Sequence, residues 1–280
     1  MKFFRLNVLF PMALLAVGLM LVGCGKSEVN KPEVNKVRTA AVVIYTVPQD
    51  IKYSSDPTDK ETSLLNAMIQ AAAAGDGSRA ATVSHGTFTE ALGSQSLPFR
   101  VLTAAEMKRN AAFNRLHQPP VMDDEEKGLM GKMTSMFGRG GPVDGAAPDG
   151  LNQYGLAQDW HNGNPVMGTP EELQYIVDSM KALNVDAALV VADPGYSFAC
   201  EACVGGVGAG STGSAFMVTM INRYGDPILS TREWFATTDE QAAMAAYAVN
   251  PLEHDDLFAE HGRKMAEVFA ESFKEKMAEE

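Results

Sequence analysis

The sequence predicts an α/β fold: a mixed sheet with helices packed on it and one long flexible insertion. Three observations lead there. "TAAVVIYTV" at 39–47 and "VDAALVVAD" at 185–193 are near-continuous apolar runs rich in β-branched residues, as buried strands are. Thr103-x-x-Glu106 and Thr169-Pro170-Glu171-Glu172 carry the residues of helix starts, the second with Pro at the first helical position. "GSAFMVTMINRYGDPILSTREWFAT" reads as two strands around the turn Tyr224-Gly225-Asp226-Pro227.

The first strand ends at Pro48. Over Lys60–Ala74, Leu64, Leu65, Met68 and Ala71 share a helical face, and "GDGS" at 75–78 is expected to stop that helix. A short helix is expected at Thr87–Leu92, a strand at 99–103, and a helix from the Thr103 cap to about His117. After Thr169, Leu173, Ile176, Val177, Met180 and Leu183 line one helical face. Asn250-Pro251-Leu252-Glu253 has the residues of a capped start for the last helix, whose Phe258, Met265, Phe269 and Phe273 face inward.

Before the first strand lies a processing signal. Lys2 and Arg5 precede an apolar stretch, Val8–Val22, interrupted by Pro11 and Gly18. That is short of the roughly 20 apolar residues of a membrane span and fits a secretory signal peptide. It closes on Leu21-Val22-Gly23-Cys24, which resembles the bacterial lipoprotein lipobox. The resemblance implies a signal peptide over 1–23 and a lipid on Cys24. Gly25, not Asp, follows, which in that class directs the protein to the outer membrane, facing the periplasm. Residues 24–38, with Glu-Val-Asn-Lys twice, read as a lipidated tether.

Removing 23 of 280 residues leaves 257 and takes the net charge from −12 to −14, because Lys2 and Arg5 are lost. Such a surface repels nucleic acid. Residues 39–117 and 169–280 form the expected single domain. The insertion, 118–168, is rich in Gly, Pro, Asp and Asn. Within it Leu129, Met130, Met133, Met136 and Phe137 recur at helical spacing, although two glycines interrupt them. Flexible, polarizable methionines suit adaptable binding, so the stripe is expected to dock on a partner groove or a membrane surface; the alternative is a lid packed on the parent domain.

"SFACEACVGGVGAGSTG" at 197–213 holds the other two cysteines, Cys200 and Cys203, and glycines 208, 210 and 213 in Gly-x-Gly-x-x-Gly spacing. A dinucleotide site needs a strand directly before and a helix directly after. Here at least 14 residues separate Asp193 from Gly208, a β pattern follows Gly213, and no Walker lysine is present, so no nucleotide is expected. A redox centre wants a helix start after the cysteines, and zinc wants four ligands. In an oxidising compartment the bland reading is a disulfide between Cys200 and Cys203; redox and metal roles remain alternatives.

His254 and His261 stand about 10 Å apart along a helix, too far to share a metal. Each reads as a partly exposed surface or core residue. His85, His117 and His161 are isolated. Asp123–Glu126 reads as a solvated acidic run, and Trp160-His161 as a surface loop. No Gly-x-Ser-x-Gly and no His-Glu-x-x-His occurs. No catalytic residue, cofactor or metal is expected.

The segment "KALNVDAALVVAD…GGVGAGSTGSAFMVTMINRYGDPILSTREW", with the strand at 39–47 and the "LPFRVLTAAEM" strand-to-helix step, resembles the envelope lipoprotein domain shared by CsgG, LpoB and the amino-terminal domain of TolB. The turn Asn222–Pro227 matches that pattern loosely, and 118–168 has no counterpart in it. The resemblance implies a non-enzymatic lipoprotein that binds another envelope protein in an assembly or activator role. A redox accessory using Cys200 and Cys203, and a subunit of a CsgG-like secretion channel, are the alternatives.

Overall fold

The computed structural model describes residues 29–49, 51–55, 77–116, 145–152, 170–200, 210–237 and 255–279. Cys24, Cys203, the helix expected at 60–74, the stripe at 129–137, Trp160-His161 and the helix start at 250–253 lie outside the described residues.

Eight strands form one mixed sheet among the described residues. They are β1 (Thr39–Pro48), β2 (Lys52–Ser55), β3 (Arg100–Leu102), β4 (Gly145–Ala146), β5 (Ala187–Ala192), β6 (Ser197–Cys200), β7 (Gly210–Asn222) and β8 (Pro227–Thr237). β5 and β6 lie end to end along one edge of β7, antiparallel to it. β1 runs parallel to β5 and β2 parallel to β6. β3, parallel, and β4, antiparallel, share the far edge of β1. β8 closes the other side as an antiparallel hairpin with β7. Every residue of β5 is buried, as its unbroken apolar run requires.

The helices are α1 (Lys31–Val34), α2 (Gly77–Ser94), α3 (Ala104–Lys108), α4 (Ala111–Asn114), α5 (Pro170–Leu183) and α6 (Asp255–Ala278). α2 and α6 pack on each other, with α2 against β1 and α6 against β7 and β8; α5 packs on β1 and β5. Tyr45 marks the junction of β1 with the helix pair. Its hydroxyl donates to Ser84 Oγ at 3.0 Å and lies 3.4 Å from Met265 Sδ. Gly262 allows the close approach: an added Cβ would stand 2.9 Å from the Ser84 carbonyl carbon and overlap its oxygen. Phe258, Met265, Phe269 and Phe273 face inward as expected.

Asp186 fastens the opposite end of the sheet. Its carboxylate accepts from the backbone N–H groups of Arg38 and Thr39, both at 3.0 Å, and pairs with Arg223 in the β7–β8 turn at 3.1 Å. Burial alone would raise its pKa, but the two backbone donors, Arg223 and the Thr39 hydroxyl hold it below the usual carboxylate value. Gly225, at φ +89°, supplies the left-handed residue of that turn.

Four expectations are corrected. The short helix expected at Thr87–Leu92 extends over Gly77–Ser94, so Gly77 and Ser78 of "GDGS" open a helix, while the helix expected to stop there lies outside the described residues. Gly77 N–H donates to Gln49 O at 3.1 Å, and the end of β1 leaves no room for a side chain there. The helix from Thr103 keeps its capping box but ends at Lys108; Asn110 starts α4 by accepting from the N–H groups of Ala112 and Phe113, both at 3.0 Å. The fold begins before Thr39: Val29 bridges to Leu229, Asn30 N–H donates to Ile228 O at 2.8 Å, and Val34 and Val37 are buried. Inside the expected insertion, Gly145–Ala146 pairs with Val47 and Pro48, and Leu151 joins the core.

Candidate functional site

Parallel strands of an α/β sheet gather polar groups at their carboxyl ends, and this one does so beyond β5. Asp193 follows β5 directly. Thr212 comes from the start of β7, where it pairs with Phe198 of β6. His261 comes from α6, three residues after Phe258 and four before Met265, and so lies on the inward stripe of that helix. His261 Nε2 is 2.7 Å from Asp193 Oδ2, and Nδ1 is 2.7 Å from Thr212 Oγ1. A carboxylate only accepts, so Nε2 carries the proton donated to Asp193. Tyr196 stacks on the imidazole, centroids 3.5 Å apart, and the tilted ring of Phe235 lies 5.3 Å from it. Asp193 Oδ1 and Ser214 Oγ are buried with no hydrogen-bond partner among the described residues.

A hydroxyl, an imidazole and a carboxylate in a row have the makings of nucleophile, base and orienting group. Access decides against that use. His261 and Asp193 are 0% exposed and Thr212 3%. Two charged-type groups withdrawn from water and bound to each other tie α6 to the ends of β5 and β7. The cluster is a strut of the fold.

The second buried histidine, His85 of α2, packs 5.4 Å from the Tyr45 ring. Burial pushes its pKa down to about 4, against a backbone hydrogen bond with Val42 that raises it; Lys108 adds to the lowering. Burial and Asp193 raise the Tyr45 pKa, so its hydroxyl keeps its proton. Both groups are inert donors and acceptors at neutral pH.

Of the residues singled out in the sequence, Cys200 is the last residue of β6, between Ser55 and Gly210. It therefore ends a strand, and the nine residues after it lie outside the described residues. Gly210 and Gly213 are strand residues of β7, so the second half of the glycine run is sheet and not loop. Cys24, Cys203, Leu129, Met130, Met133, Met136 and Phe137 lie outside the described residues. Among the described residues, no group of three or more His, Cys, Asp or Glu is placed to hold a metal ion, and no helix is long and apolar enough to cross a membrane.

The surface offers one site that the sequence reading passed over. Trp234, on β8, is 78% exposed, and Tyr224, in the turn at the other end of the strand, is 86% exposed. The flanking Glu233 accepts from Ser272 Oγ, and Phe235 meets His261, so both neighbours of Trp234 face α6 and its indole stands on the opposite face. Burial raises the pKa of Glu233, while Ser272 and Lys276 oppose that shift. Strict alternation in "REWFAT" is the signal that would have sent Phe235 inward and Trp234 outward.

No protein-family model and no curated protein sequence matches the chain. In three dimensions it is similar to the LpoB C-terminal domain from Salmonella enterica, with 8% identity and a TM-score of 0.20, over 78% of this chain and 91% of that one. It is also similar to lipoprotein GNA1162 from Neisseria meningitidis, with 11% identity and a TM-score of 0.23, over 79% and 98% of the respective chains. At these TM-scores neither likeness bears on function, which is argued from this chain's own residues.

Proposed function

We propose that the chain is a lipid-anchored, non-enzymatic protein of the bacterial outer membrane, facing the periplasm, that binds another envelope protein. The observation that carries the proposal is Leu21-Val22-Gly23-Cys24 after a charged and apolar leader. Cleavage before Cys24 leaves that residue to carry the acyl chains, which attach the domain to one face of the membrane without spanning it. The sealed His261–Asp193–Thr212 cluster supports a binding role over a catalytic one, because its reactive atoms face no described surface. A secretory leader and the absence of a helix-start signal after Cys203 in the sequence support a structural disulfide between Cys200 and Cys203 over a thioredoxin-like centre, whose thiol needs a helix start.

Replacing Cys24 by Ala is expected to release the protein from membranes into the soluble fraction. A Cys24→Ala protein that still sediments with membranes after a high-salt wash refutes the anchoring. The stripe Leu129–Phe137 is the proposed contact for the partner. Deleting 121–143 tests it and spares Gly145–Leu151, which belong to the core. The expected result is an unchanged melting temperature and loss of the partner in crosslinking; a fall of several degrees places the stripe in the core instead.

A further inference from the structure

We infer that the domain lies against the membrane by the outer edge of β8, with Trp234 in the headgroup region. The inference rests on the anchoring through Cys24 proposed above and adds to it an orientation and a contact residue.

The length of free chain comes first. A tether over 24–38 would reach about 50 Å and leave the domain free to turn in any direction. The fold does not allow that. Val29 is bridged to Leu229, Asn30 is bonded to Ile228, and Val34 and Val37 are buried behind them. Only four residues, 25–28, lie between Val29 and the lipid attachment at Cys24, which makes five residue steps. Fully extended they span at most about 18 Å. On that anchoring the lipid attachment lies within that distance of Val29, which sits beside Leu229.

Direction comes next. The bridge between Val29 and Leu229 is antiparallel. At Val29 the chain thus arrives from the side of β8 that holds Trp234 and departs toward the side that holds the Tyr224 turn. Trp234 lies five residues beyond Leu229, about 17 Å along a strand. Trp234 therefore lies within the greatest reach of residues 24–28, on the side from which the chain enters the bridge.

The chemistry of the exposed group fits. An indole 78% exposed to water keeps a large apolar surface hydrated, while its N–H needs a polar partner. The interface between headgroups and acyl chains meets both needs, and tryptophan is enriched there. Tyr224, although still more exposed, stands at the other end of β8 and lies outside the contact. It serves as the internal control.

The test uses the full lipidated protein carrying Trp160→Phe, which leaves Trp234 as the single tryptophan. It is reconstituted with phosphatidylcholine vesicles, with or without bromine atoms high on the acyl chains. Flotation with the vesicles reports anchoring; loss and blue shift of tryptophan emission report the contact. A companion protein carrying Trp160→Phe, Trp234→Phe and Tyr224→Trp moves the indole to the other end of β8. The expected result is that both proteins float, that Trp234 is quenched by the brominated lipid, and that the indole at position 224 is not. Flotation without quenching of Trp234, or equal quenching at both positions, overturns the inference while anchoring stands; the first outcome would leave Trp234 for a protein partner or a second copy of the chain. Failure to float overturns the anchoring and the inference with it.

Discussion

His85 gives the fold a calculable sensitivity to acid. Its side chain points from α2 into the core beside Tyr45, and burial lowers its pKa from 6.5 to about 4. The unfolded chain accepts a proton as pH falls through about 6.5, whereas the native chain refuses it until about 4. The sign follows: the term is absent above about pH 6.5, and stability falls as pH drops from there toward 4. Between about pH 7.5 and about pH 5 the linkage costs about 2 kcal/mol. His85→Leu removes the titrating group at similar volume. It leaves the Val42 backbone without its ring partner, a cost of about 1 kcal/mol that does not depend on pH. Urea unfolding at both pH values, in a Cys24→Ala background, isolates the term, since the remaining titrating groups are common to both proteins. The histidine protein is expected to lose about 2 kcal/mol more on acidification than His85→Leu. Equal losses would refute the argument that burial holds His85 neutral.

Three further outcomes follow from the packing. Gly262→Ala drives a methyl group into the Ser84 carbonyl and is expected to cost about 3 kcal/mol in urea unfolding, although alanine is the better helix former. Asp193→Ala strands His261 in the core and is expected to cost about 3–5 kcal/mol, whereas Thr212→Val, which removes one hydroxyl contact, is expected to cost about 1 kcal/mol; similar values for the two would count against the carboxylate as the anchor of the strut. Asp186→Asn is expected to cost about 1–2 kcal/mol at neutral pH, and because the folded carboxylate has a lowered pKa, the difference from the unsubstituted chain should shrink as pH falls below about 4.

Elements whose causes are local were legible in the sequence. β1 and β5 announced themselves by apolar runs, the β7–β8 hairpin by its turn residues, and α3 by a capping box that the structure completes with both hydrogen bonds. α2 was not, because its start depends on Gly77 fitting against the end of β1, a tertiary fact that a string of Gly and Ser conceals. The strut was half legible. His261 falls in phase with Phe258 and Met265, so its burial could be read from period alone. Its partners stand 68 and 49 residues away along the chain, and no spacing rule brings them together. The segment before Thr39 misled for the opposite reason: too short and polar to show a period, it is held by backbone bonds to an open strand edge, which its side chains do not advertise.

That edge gives the proposed activities a spatial order. β8 borders one side of the sheet and takes the amino-terminal segment. β3 and β4 border the other, and β4 is where the chain rejoins the fold after the stripe at 129–137. Between the two edges lie the β1/β2, β5/β6 and β7 rows, so about four strand spacings, or roughly 19 Å, separate them. On the proposed anchoring, a lipid on Cys24, five residue steps before Val29, would hold the β8 edge down. The chain that follows Leu129, Met130, Met133, Met136 and Phe137 rejoins the fold at β4, on the edge that this anchoring would hold away from the membrane. The Glu233–Ser272 bond joins β8 to α6, the strut joins α6 to β5 and β7, and α6 packs on α2, so an anchor pulling on β8 orients the whole domain and not a loose strand. On the proposed reading, a partner that engages the stripe approaches from the periplasmic side, and the short chain before Val29, not the length of the insertion, sets how far from the membrane they meet.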